Sequence, residues 1–340
     1  MSDATTVPSQ SFINRIIPPS WLQIGLAAAI LASLALAVIT LDGLWPDLWS
    51  EGYWSILFTA PTIIVYIMII SHIMVPYQNK AVASLRQLSS LDDAEYNQLV
   101  QQTQDTARKW TRPALALGFA FGFLATAPWA TEDGFSWTMW YLALMNGLMF
   151  GLLTLIIQHS FAESRLTNRL QQGPLNFDIF YTAPFTSIGL HSLIVALAFV
   201  GGSTIVVFFS AVGRRPLNPV DFVLHGILIL LTLLIFFLPM RQTHRVLRQA
   251  KLAEQDNLNR HLAAAYRRLE QMSLEQKQDI LPFAAEVDLW NQYEARLKDV
   301  STWPYNAGML RTLFASILLP VFVTLGQRLL TYVLVELGIN

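Results

Sequence analysis

The chain reads as an all-α, polytopic integral membrane protein: seven transmembrane helices with an extended cytoplasmic helical bundle. Three observations carry that expectation. Only 13% of the 340 residues are charged while 54% are hydrophobic, against about 25% charged in an average soluble protein. The apolar residues are gathered into runs of roughly 20, the length that crosses a ~30 Å hydrocarbon core. Lys and Arg collect in alternate polar segments, as the positive-inside rule requires.

The N-terminal tail, MSDATTVPSQSFINRIIPPS, is polar and carries one basic residue. The apolar run behind it is too long for the core of a cleavable leader, so a retained first span is expected at about Trp21–Leu41. An acidic, aromatic loop follows (Asp42, Trp45, Asp47, Trp49, Glu51). The second span is expected at about Tyr53–Val75, with Pro61 inside it, which neighbouring helices can accommodate. Residues 1–75 thus hold the tail and spans one and two.

Residues 76–112 are polar and are expected to hold a cytoplasmic helix. Ser90-Leu91-Asp92-Asp93 has the pattern of a capping box that opens it, and Leu91, Tyr96, Leu99 and Val100 give it an apolar face. Residues 113–240 hold spans three to six, with a cytoplasmic link at 158–183. Span three (Pro113–Ala130) contains Gly118-x-x-x-Gly122 and span four (Trp137–Ile157) contains Gly147-x-x-x-Gly151. Such pairs let helices approach closely, and packing within one chain is the expected use. Span four should continue as a helix to a glycine cap at Gly173. Span five (Pro184–Ala211) carries Gly189, His191 and Gly201-Gly202-Ser203-Thr204.

The sixth span has the boldest pattern. LHGILILLTLLIFFLPM runs straight into RQTHRVLRQAKLAEQDNLNRHLAAAYRRLEQM. As one helix from Phe222 to Met272 it would be about 75 Å long, so much of it must project as a solvated rod. On that rod Leu258, Leu262, Ala265, Leu269 and Met272 recur at alternating steps of four and three, a packing seam for another helix. Packing against helices of the same chain and self-association are the two uses open to it. Residues 241–308 form this cytoplasmic segment, with a helix start at Ser273-x-x-Gln276, a restart at Pro282 and a break at 301–306. Residues 309–340 hold span seven, expected at Met309–Leu337.

With the N-terminus inside, nearly all Lys and Arg fall in inner segments, and the outer loops hold only Arg214 and Arg215. N-in, C-out topology in a cell (plasma or inner) membrane is therefore expected. Trp45, Trp49, Trp54, Trp129, Trp137 and Trp140 line up at the outer interface and Trp21, Trp110 and Trp303 at the inner one, as in an aromatic belt.

Chemistry is harder to find. The chain has no cysteine, which excludes disulfides, thiolate metal sites and cysteine nucleophiles. Neither an HExxH pattern nor a lysine-bearing P-loop occurs. No enzyme activity and no cofactor are expected, and a net charge of −1 points to no nucleic-acid partner. The candidate residues lie in spans. Ser316, Pro320, Thr324, Gln327 and Thr331 share one face of span seven, with Arg328 beside it. That stripe can glue helices or line a pore or cavity. His191 is the only histidine well inside an expected span, and such a group is either functional or a satisfied packing residue. A homo-oligomeric ion channel with span seven lining the pore is the first expectation. A small-solute transporter with a cavity near His191 and Gly201–Thr204, and a sensor or scaffold acting through the cytoplasmic helices, are the alternatives. The lipid bilayer and further copies of the chain are the expected partners.

Two resemblances bear on this. FYTAPFTSIGLHSLIVALAFVGGSTIVVF and STWPYNAGMLRTLFASILLP resemble stretches of uncharacterised prokaryotic multi-span proteins, which implies no activity. The architecture resembles the insect odorant and gustatory receptor channels, in which seven N-in, C-out spans extend into a cytoplasmic anchor domain. There four subunits assemble and span seven lines the pore. The gustatory members carry Thr-Tyr, five mostly apolar residues, then Gln-Phe. Here Thr331-Tyr332 precedes VLVEL, but Gly338-Ile339 stands where Gln-Phe would.

Overall fold

The computed structural model describes residues 20–50, 52–130, 135–172, 177–213, 219–274 and 281–323, together with 326 and 329. Every regular element among them is an α-helix: α1 (Trp21–Leu41), α2 (Tyr53–Leu88), α3 (Asp93–Thr126), α4 (Trp137–Gln172), α5 (Ala183–Val212), α6 (Pro219–Leu274), α7 (Leu281–Asp299) and α8 (Ala307–Ile317). Five of them are long and apolar enough to cross a membrane, namely α1, α2, α4, α5 and α6. Seven were expected, and the two shortfalls have physical reasons. The apolar half of α3, from Pro113 to Thr126, spans only ~21 Å at about 1.5 Å per residue. The seventh candidate is described as an apolar helix only over Ala307–Val323.

The helices ignore the polar boundaries expected between spans and extensions. α2 runs through Pro61 and Pro76 to Leu88 without a break. α3 begins in the polar segment and carries Pro113 inside it. α6 is one helix of 56 residues, about 84 Å long. The capping box expected at Ser90 is displaced. Asp92 caps α3, its side chain accepting from the Asp93 amide at 2.8 Å. A true capping box opens α1, where Ser20 accepts from the Gln23 amide and Gln23 accepts from the Ser20 amide. The cap expected at Gly173 lies outside the described residues, and Ser273, expected to start a new helix, lies inside α6, which runs on to Leu274.

α2 is the packing centre. Its Leu57, Ile64, Ile67 and Met68 are buried with Ile39 of α1, Met145 of α4 and Phe199 of α5. Tyr66 donates to the Ala198 carbonyl of α5 at 3.0 Å. A Cβ at Gly201 would stand 2.8 Å from the Tyr66 ring carbon Cζ, so that glycine makes room for the tyrosine. α3 lies along α4 through the paired glycine motifs. A Cβ on Gly118 would meet the Phe150 carbonyl at 2.5 Å, and one on Gly122 the Asn146 carbonyl carbon at 2.7 Å. Lipid offers no hydrophobic force between such helices, so close backbone packing is what holds them.

α8 is held by Met309 and Leu313, buried against Leu193 and Ala196 of α5 and Phe236 of α6. The polar end of α6 folds back on α7. Leu258 and Leu262 are buried with Leu297 of α7 and Ile179, and Ala265 is buried as well. Lys251 donates to the Lys298 and Val300 carbonyls, both at 2.8 Å, and so satisfies orphan carbonyls at the α7 terminus. Tyr293 donates to Glu254 at 2.8 Å. Burial, and then that hydrogen bond, push the Tyr293 phenol up to about 12.

One side chain ties α1 to α4. Asp42 accepts from Ser136 Oγ at 3.0 Å, from the Trp137 amide at 3.3 Å, and from the Thr138 amide and hydroxyl at 2.7 Å each. It thereby caps a helix it does not belong to. Burial opposes its charge, but these bonds prevail and hold its carboxyl below the ordinary aspartate value.

Two outcomes follow. Gly122→Val should lower the melting temperature of the detergent-solubilised protein, at an overpacking cost of about 1–3 kcal/mol. Gly25→Val, where no described residue lies within 4 Å, should leave it unchanged. Asp42→Asn should cost about 1 kcal/mol at neutral pH. Because the folded pKa is depressed, that contribution is present above the ~3.9 of free aspartate and disappears as pH falls through the folded value. Thermal unfolding of both proteins from pH 7 to about 3 should therefore show the curves converging at the acid end.

Candidate functional site

Where α2, α4 and α5 pack together, three ionisable side chains and an amide meet. His159 and Glu163 stand four residues apart on α4, one turn along the same face. His191 comes from α5 and Gln78 from α2. His159 Nε2 lies 3.0 Å from Glu163 Oε1, and His191 Nε2 lies 2.9 Å from Glu163 Oε2. Gln78 Nε2 donates to Glu163 Oε1 and also stands 3.2 Å from His159 Nε2. The side chains of His159 and Glu163 are 21% and 22% exposed and that of His191 12%. Buried His191 Nδ1 has no hydrogen-bond partner among the described residues. An enclosed cavity of about 20 Å³ adjoins the cluster, lined by Ser71, Gln78, Ser160 and His191 among others. That is room for about one water.

Helix geometry sets the depth. His159 lies ~33 Å along α4 from Trp137 at about 1.5 Å per residue. If Trp137 marks one interface, the cluster sits where the hydrocarbon ends on the other side. An ionised carboxylate accepts but cannot donate. Both imidazoles must therefore present Nε2–H to Glu163 when it is charged, which leaves each Nδ1 as the free position. With neutral imidazoles the site then holds one negative charge. No group of three or more His, Asp or Glu side chains among the described residues, this cluster included, is arranged to hold a metal ion.

His191, read from sequence as a solitary intramembrane histidine, is thus one of a pair flanking a carboxylate. Glu163 was missed. Its signal was present: the apolar helix of span four continues past Ile157, and His159-x-x-x-Glu163 places an acid and a base on one face of that continuation. Gly201–Thr204 does not belong to the site. α5 runs unbroken through these residues.

Ser316 is half-buried and donates to the Thr312 carbonyl at 2.7 Å. It lines an open surface groove with Gly308, Arg311, Thr312, Ala315 and Leu319. The helix turns at Leu318, just before the buried Pro320, whose ring nitrogen cannot donate back to residue 316. Thr324, Gln327, Arg328 and Thr331 lie outside the described residues. In the seam, Leu258, Leu262 and Ala265 are buried and Leu269 half-buried. α7 covers the buried leucines. Met272 falls within α6, but its side chain is outside the described set.

The short connection between α7 and α8 is seated close by. A Cβ on Gly189 would stand 2.6 Å from the Pro304 carbonyl oxygen, two residues from His191. His244 Nδ1 contacts the Thr302 carbonyl at 3.0 Å and stacks on Trp303 with centroids 3.8 Å apart and planes 8° apart. No protein-family model matches the chain, and no match to it was found among curated proteins or solved structures.

Removing the carboxylate while leaving its partners should be costly. Glu163→Ala should destabilise the purified protein by about 3 kcal/mol or more, the range for breaking a buried pair. Glu163→Gln, which keeps the hydrogen-bonding shape, should cost less. Thermal unfolding in detergent measures both.

Proposed function

We propose that this multi-pass membrane protein is a small-solute transporter with seven spans and a cytoplasmic N-terminus, working around the Glu163 site. The single observation that carries the reading is the His159–Glu163–His191 cluster at the meeting of three membrane helices, beside an enclosed cavity. An ionisable cluster buried among membrane helices, here at the cytoplasmic end of the hydrocarbon, is a transport-pathway candidate by default. Topology follows from the segregation of Lys and Arg, with α3 crossing by close attachment to α4. In this topology the cluster faces the cytoplasmic boundary, and the α6–α7 extension forms the cytoplasmic bundle.

A second reading keeps a specific observation. The polar face of α8 around Thr312 and Ser316 opens onto a groove that the described part of the chain leaves uncovered. A homo-oligomeric ion channel with span seven at a shared axis, as the resemblance to the insect receptor channels implies, would present such a face to its neighbours.

The two readings diverge in current. Proteoliposomes on a solid-supported membrane should give transient, saturable currents on pulses of alkali cations, carboxylates or amino acids, and Glu163→Ala should abolish them. Non-saturable, single-channel steps that persist in Glu163→Ala would reverse the choice. Mass photometry of the purified protein bears on the second reading alone, since a strict monomer eliminates it.

A further inference from the structure

We propose that the ligand of the Glu163 site is a proton, held between the Glu163 carboxylate and the His159 imidazole. The proposal rests on the reading of this cluster as the transport site and names what the site binds. Size comes first. In this conformation a cavity of about 20 Å³ holds about one water, so a solute has no room beside Glu163 and a proton does. The two imidazole nitrogens sit on opposite carboxylate oxygens at 3.0 and 2.9 Å, which is hydrogen-bond spacing on two sides of an anion. That places the acid between two bases rather than three ligands around a common metal.

The hydrogen bonds supply a path for the proton. With Glu163 ionised, His159 Nε2–H and the Gln78 amide both donate to Oε1, their nitrogens 3.2 Å apart. A proton added to the site rearranges these bonds. The proton joins His159 at Nδ1, the His159 Nε2–H bond breaks, and that hydrogen bonds to Glu163 Oε1. His159 Nε2 becomes an acceptor, which the Gln78 amide can face. Only N–H and O–H bonds change, no electrons are transferred, and the site passes from one negative charge to none.

No other charge within the described neighbourhood competes for the role. The groups facing Glu163 are Gln78 from α2, His159 from its own helix and His191 from α5. Lys80 on α2, Asp105, Arg108 and Lys109 on α3, Arg165 on α4, and Arg241 and Arg245 on α6 are exposed.

Infrared difference spectroscopy on the full-length protein in lipid reads the proton without any transport. A protonated-carboxyl band should appear and vanish reversibly with pH, be absent in Glu163→Gln, and shift in midpoint by about one pH unit or more in His159→Gln. A carboxylate signal unchanged from about pH 4 to 9 in the wild type would overturn the proposal. So would a band that survives in Glu163→Gln, or one that Zn²⁺ suppresses at equimolar amounts. Currents without a titrating band would remove the proton and leave the transport reading. A titrating band without currents would do the reverse.

Discussion

In hydrocarbon an unpaired backbone amide or carbonyl costs several kcal/mol, because no water is there to replace the missing partner. This constraint shapes nearly every described element. It explains why the helices are long and unbroken, and why the prolines at 61, 76 and 113 sit inside helices without ending them. It also explains why Ser33, Thr40, Thr111, Thr154, Thr204 and Thr232 return their hydroxyls to the carbonyl four residues earlier. A polar side chain that cannot reach its own backbone must find another element. Tyr141, which donates to the Leu57 carbonyl at 3.1 Å, and the Glu163 cluster are two such solutions. Only the second carries titratable groups on both sides of the contact.

The same constraint shows where sequence reasoning succeeds. Apolar length, glycine spacing and charge segregation are one-dimensional records of the bilayer, and α1, α2, α4, α5 and α6 follow from them directly. Gly118, Gly122, Gly147 and Gly151 read as a packing surface and are one. Boundaries were less legible. A run of polar residues after Val75 or before Pro113 looks like the boundary of a span, but a helix has no reason to stop at the membrane surface if its backbone stays paired. α2 and α3 accordingly run on.

The site was the least legible part, for a geometric reason. His191 carries its own label as an intramembrane histidine. Glu163 lies 28 residues earlier in sequence, in a stretch whose polarity makes it look like a solvated link. Nothing in a linear reading pairs two helices that cross at that depth, and the i, i+4 spacing of His159 and Glu163 is common on exposed helices. Only the packing of α4 against α2 and of α5 against α2 brings the four side chains together. The polar stripe of span seven was the more visible pattern, and in the structure its one described hydroxyl, Ser316, bonds only to its own helix.

The continuity of α6 has a mechanical consequence. A helix of 56 residues that joins the membrane bundle to α7 acts as a lever. From Met240 to Leu274 it reaches ~50 Å beyond the apolar segment at about 1.5 Å per residue. A tilt of about 5° at the membrane boundary would carry its tip about 4 Å sideways, roughly three-quarters of a helical pitch. Small rearrangements among the membrane helices would thus be magnified at the far end, where Leu258, Leu262 and Lys251 grip α7.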